Sequence, residues 1–117
     1  MSDQPAPIPN QREPVVESAI RAVVSFHDDW ALSHANEICA FLRRRDELGR
    51  AKYGTSLQAG NGRDAARDAA EECADLIQYL EQKVQESPTN TRWKWESMRD
   101  RAISLLDAIA DARGGTL

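Results

Sequence analysis

Glycine and proline punctuate this chain of 117 residues sparingly, and their placement constrains its fold more than any other feature. Pro5, Pro7, Pro9 and Pro14 crowd the start. Gly49, Gly54, Gly60 and Gly62 fall together in the middle. Pro88 stands alone, and Gly114 and Gly115 close the chain. Three long runs between these marks hold neither residue: Val15–Leu48, Arg63–Ser87 and Thr89–Arg113. None shows the sustained period-two alternation of a half-buried strand, so the spacing predicts an all-α chain. The first run is too long for one ordinary helix. His27-Asp28-Asp29 and Ser33 offer capping chemistry, which places a break near residues 28–33.

Four helices are therefore expected near 14–28, 33–52, 63–86 and 90–112. Each carries an apolar stripe at three-then-four spacing. The first stripe is Val16, Ile20, Val23 and Trp30. The second is Ile38, Phe41 or Leu42, and Leu48. The third runs Ala66, Ala69, Cys73, Leu76 or Ile77, Leu80 and Val84. The fourth runs Trp95, Met98, Ala102, Leu105 and Ile109. Four such helices fit a four-helix bundle forming one domain over 14–113. The Pro-rich stretch 1–13 reads as a disordered, flexible tail, and 114–117 as a short one. The stripes are rich in alanine, and the first helix is apolar for its length. Both features favour a homo-oligomer that shares helices across an interface.

Charge and cysteine content narrow the function classes. A formal charge of −4 argues against a general binder of nucleic-acid backbone, which carries a basic surplus or patch. No stretch approaches the ~20 apolar residues of a membrane span. The start lacks the basic and apolar regions of a signal peptide. Cys39 and Cys73 form no metal-type pair and sit on apolar stripes, which suits a reduced, cytoplasmic setting. His27 and His34 have no partner that would make a metal or catalytic pair. The Arg43–Arg45 run reads as a solvated face. Trp95 fits the core stripe, and Trp93 would cover an end of the bundle, or contact a base or a neighbouring subunit.

The third helix carries the chemistry of interest. At about 100° per residue, Asp68, Glu71, Glu72, Asp75 and Tyr79 form one narrow stripe, about 130° from the apolar one. Carboxylates stacked at i, i+3 and i+4 repel one another. Solvent, Arg67 and Lys83 can screen that repulsion, or a cation can sit there. Mg²⁺ binds through a few carboxylates together with phosphates and water. Just before this helix lies a Gly-rich loop with Lys52, Tyr53, Thr55, Asn61 and Arg63. Cations suit phosphate, a ring suits a base, and an amide suits a base edge. The same residues also have purely structural uses. Asn61 can cap the helix with Asp64 at the third position, Gly54 can end a helix, and Tyr53 and Leu57 can plug the core.

Glu71-Glu72-Cys73-Ala74-Asp75-Leu76-Ile77-Gln78-Tyr79-Leu80 resembles the second metal motif of the all-α, MazG-like nucleoside triphosphate pyrophosphohydrolases. The stretch from Lys52-Tyr53-Gly54-Thr55 to Asn61-Gly62-Arg63-Asp64 is similar to small bacteriophage proteins, some of them loosely called MazG-like. The resemblance spans roughly residues 37–80. It implies hydrolysis of a (d)NTP to the monophosphate and pyrophosphate with Mg²⁺, or Mn²⁺ in its place. Glu72 and Asp75 would be catalytic ligands of the metal, with Glu71 and Asp68 beside them. Lys52, Tyr53, Asn61 and Arg63 would bind the nucleotide. It also implies a dimer or tetramer. The family's earlier E-x-x-E motif is not matched, because Ala40 stands three residues after Glu37. Glu37 or Glu47 would have to serve instead. Otherwise cations such as Arg45 and Lys52 pair with Glu72 or Asp75, and turnover is lost. Two other functions therefore stay open. One is a nucleotide-sequestering protein without turnover. The other is a helical protein-interaction module.

Overall fold

The computed structural model describes residues 4–117. It contains four α-helices in chain order: α1 (Val15–Trp30), α2 (Ala35–Tyr53), α3 (Ala65–Glu86) and α4 (Thr89–Ala112). There is no strand among the described residues. The all-α expectation holds, and the expected boundaries fall within a few residues. The chain divides into two compact units, one ending at Arg63 and the other beginning at Asp64. In the first, α1 packs on α2. In the second, α3 packs on α4.

In the first unit, α1 starts after Pro14 and places Glu17 in its first turn. It stops at Ala31, which adopts a left-handed conformation at φ 48° and donates its N–H to the His27 carbonyl at 2.7 Å. That geometry costs a residue with a Cβ about 1 kcal/mol. The expected side-chain cap is absent at the start of α2, where His34 occupies the cap position with no side-chain hydrogen bond. Gly54 ends α2 at φ 75°, the cap for which glycine is suited. Ala35, Cys39, Leu42, Asp46 and Gly49 form the half-covered side of α2. Leu42, rather than Phe41, is therefore the covered member of the expected pair. Phe41 and Leu48 are each 55% exposed, and neither helix holds a buried residue. Arg43 bridges to Glu17 across the pair at 3.0 Å, an exposed contact worth less than about 1 kcal/mol.

The second unit has a core of its own. Ala70, Cys73 and Val84 of α3 and Ala102 of α4 are buried. The small side chains let the helices approach until Cys73 Sγ donates to the Ala102 carbonyl at 3.3 Å. Asp64 caps α3, its side chain accepting the Arg67 N–H. At the far end, Arg92 donates to the Val84 carbonyl at 3.2 Å and the Ser87 carbonyl at 3.0 Å. The Val84 carbonyl also accepts the Ser87 N–H at 3.3 Å, so this side chain adds a second bond to one carbonyl of the helix end and pairs the one just beyond it. The covered side of α4 keeps Trp95, Ala102 and Ile109 of the expected stripe and departs from it at two positions. Arg99 and Leu106 are half-buried, while Met98 and Leu105 are exposed. Both stripes obey helical spacing, and Arg99 turns inward because Glu81 of α3 accepts its guanidinium at 2.7 Å.

Gln85 and Arg99 hydrogen-bond the Glu81 carboxylate and hold its pKa below the ordinary carboxylate value. A carboxyl lowered in this way favours the fold above its unfolded pKa and loses that contribution as pH falls through the lowered value. NMR titration will therefore place the Glu81 midpoint below that of a free glutamate, and Arg99→Leu will raise it. Ala31→Gly relieves the left-handed strain and will stabilise the protein by about 1 kcal/mol in denaturant unfolding. Ala102→Leu forces a larger side chain into the tightest part of the α3–α4 contact. It will destabilise by about 1–3 kcal/mol.

Candidate functional site

The acidic face follows from the packing of α3. With Ala70, Cys73 and Val84 turned to α4, helical geometry sends Glu72, Asp75 and Tyr79 to the opposite side. All three are exposed. Glu72 and Asp75 stand one turn apart with no ion pair or hydrogen bond from their own unit. Glu71 differs, because Arg67 reaches it at 3.2 Å across one turn. Asp68 is half-buried in the first turn. The expected stripe thus separates into a partnered member, Glu71, and an outward pair, Glu72 and Asp75. Among the described residues, no three of His, Cys, Asp and Glu gather as a metal-binding group. Two carboxylates still suit Mg²⁺, which keeps several waters and takes other ligands from substrate phosphates.

The nucleotide-contact candidates all belong to the first unit. Lys52 and Tyr53 end α2, both exposed, with Lys52 Nζ 5.1 Å from the Tyr53 ring centroid. Asn61 is buried at 7% exposure, and its groups serve the backbone. Its Oδ1 accepts the Arg63 N–H at 3.1 Å, and its carbonyl accepts the Ile8 N–H at 2.9 Å. Asn61 therefore shapes the loop, and Asp64 rather than Asn61 caps α3. Arg63 donates from its guanidinium to the Pro5 carbonyl at 2.7 Å. Thr55 is half-buried and donates to the Ser56 carbonyl.

The partner of this loop is the segment expected to be a flexible tail. From Pro5 to Pro14 it runs along residues 57–63. Asn10 donates from its amide to the Ala59 carbonyl and from its backbone to Gln58 Oε1, each at 3.0 Å. Gln58 Nε2 returns bonds to the carbonyls of Asn10 and Arg12 at 3.0 and 2.7 Å. The Val15 N–H then donates to the Leu57 carbonyl at 2.8 Å. Proline lacks a backbone donor, so a Pro-rich segment offers mainly carbonyls, and the amide side chains of Asn10 and Gln58 complete the pairing. The strap lies close. A Cβ on Gly60 would come within 3.3 Å of the Arg12 guanidinium, and Gly60 and Gly62 both hold positive φ. Only the amides of Asn10 and Gln58 foreshadow this pairing, and they lie 48 residues apart.

No helix among the described residues is long and apolar enough to cross a membrane. Comparison with protein-family models, curated proteins and solved structures gives no match.

Replacing both Asn10 and Gln58 by alanine removes the amide bonds and leaves the helices their own packing. Hydrogen exchange at the Ile8 and Val15 amides will accelerate at least tenfold, while α3 and α4 amides keep their protection.

Proposed function

We propose that this chain is a nucleotide pyrophosphohydrolase of the MazG-like kind, working as a homo-oligomer. The observation that carries the reading is the outward pair Glu72 and Asp75. Their own unit places no cation against them, so two stacked like charges stay uncompensated. In the proposed reaction, water adds to the α-phosphorus of a (d)NTP and the bridging α–β P–O bond breaks. Monophosphate and pyrophosphate leave. Mg²⁺ held by Glu72 and Asp75 would, when bound, withdraw charge from phosphate oxygens and acidify water. Lys52 is the proposed cation for phosphate charge and Tyr53 the proposed ring for the base. Asn61 and Arg63 act indirectly, by holding the loop and its strap.

A second reading has its own support. Arg67 neutralises Glu71, which leaves the double-glutamate motif with one outward carboxylate. Such a helix suits a protein that holds a nucleotide without turning it over.

Pyrophosphate release from a panel of dNTPs and NTPs, in Mg²⁺ or Mn²⁺, tests the first reading. Glu72→Ala and Asp75→Ala will each lower the rate at least a hundredfold without changing the helical circular dichroism. No release from any nucleotide sinks the enzyme. A nucleotide-induced rise in Tm that Lys52→Ala abolishes, with no product formed, favours the second reading.

A further inference from the structure

The loop that seats the Pro-rich strap holds the only Asn-Gly pair of the chain, Asn61-Gly62. The main-chain nitrogen that follows an asparagine can attack the side-chain amide carbon, because ring closure gives a cyclic imide of low strain. A Cβ on the following residue hinders that approach, and glycine has none. The other asparagines, Asn10, Asn36 and Asn90, are followed by Gln11, Glu37 and Thr91. Asn36 and Asn90 also lie within α2 and α4, where helical bonding fixes the backbone. Local chemistry thus singles out one position.

The surroundings of Asn61 both activate it and guard it. Its Oδ1 accepts the Arg63 N–H at 3.1 Å. That donor draws charge from the amide carbon and already stands where negative charge gathers on Oδ1 during attack. The attacking group is free: the Gly62 N–H donates to no group among the described residues. The guard is the strap. Attack requires the Asn61 side chain to turn and hydroxide or water to reach the Gly62 N–H, yet Asn61 is only 7% exposed. Its carbonyl is tied to the Ile8 N–H at 2.9 Å. The Ile8 side chain lies over the next residue, where a Cβ on Gly62 would meet its Cδ1 at 3.5 Å.

We propose that Asn61-Gly62 is a site of spontaneous deamidation and that the Pro-rich strap sets its rate. The Gly62 nitrogen gives up its proton and bonds to Asn61 Cγ. The Cγ–Nδ2 bond breaks, and the amide group leaves with a proton as ammonia. Water then opens the cyclic imide at either carbonyl, which yields aspartate or its β-linked isomer. Both products add a negative charge. The β-linked product also inserts a carbon into the main chain and turns the carbonyl that accepted the Ile8 N–H into a carboxylate beside it. The seat of the strap is thereby altered for good, so the loop keeps a lasting record of strap opening. The inference stands on the strap and its loop and takes nothing from nucleotide chemistry.

Incubation of the full chain in mildly alkaline buffer at body temperature, followed by acidic digestion and mass spectrometry, tests it. Enzymatic methylation of isoaspartate identifies the β-linked product. The double variant Asn10→Ala, Gln58→Ala loosens the strap. It will convert Asn61 ahead of Asn36 and Asn90, to both products, and at least about tenfold faster than the wild type, in proportion to the strap-open population. Equal rates at Asn61 in wild type and variant overturn the proposal, as does conversion of Asn36 or Asn90 first. Where the double variant loses its helical circular dichroism, Ile8→Ala decides. Ile8 is 63% exposed, so its truncation leaves the helices intact. It uncovers Gly62 and will speed conversion of Asn61, and an unchanged rate overturns the proposal.

Discussion

The close approach of α3 and α4 is the contact on which the rest of the second unit depends. Ala70, Cys73 and Ala102 are small enough that a thiol on one helix reaches a main-chain carbonyl on the other. Larger residues at those positions would push the helices apart and remove the dispersion contacts that a dense interior supplies. Because this side of α3 is committed to α4, its acidic residues have only the opposite side to occupy. The outward display of Glu72 and Asp75 is thus a consequence of packing elsewhere on the same helix. The polar ties at either end, Arg92 on the α3 carbonyls and Arg113 on Asp64 at 3.6 Å, limit fraying of that display.

The first unit solves its folding problem differently. It has no buried side chain in either helix, and its ordered parts are joined by polar bonds between the Pro-rich segment and the loop after α2. Hydrogen bonds of this exposed kind contribute about 1 kcal/mol each at most, since water competes for the same groups. They fix the course of the backbone without supplying much stability.

The two units also divide the electrostatics. A near-neutral helical hairpin and an acidic one share a single chain. A total charge of −4 conceals that division, and so says little about which surface meets which partner.

Helix number, type and approximate limits were legible in the sequence, because glycine and proline impose backbone costs that act locally and leave few alternatives. The acidic stripe was legible for the same reason: helical periodicity alone puts Asp68, Glu72 and Asp75 together. Three things required the tertiary structure. On α4, Met98 and Arg99 both fit helical spacing beside Ala102, as do Leu105 and Leu106, and it is Arg99, paired with Glu81, and Leu106 that lie on the covered side. The outward position of Phe41 and Leu48 depends on which side of α2 meets α1, a choice between neighbouring apolar stripes that periodicity leaves open. The pairing of Pro5–Pro14 with the loop at 57–63 joins residues nearly fifty positions apart, through amide side chains that give no periodic signal. Local backbone chemistry wrote the helices. Long-range contacts chose their faces.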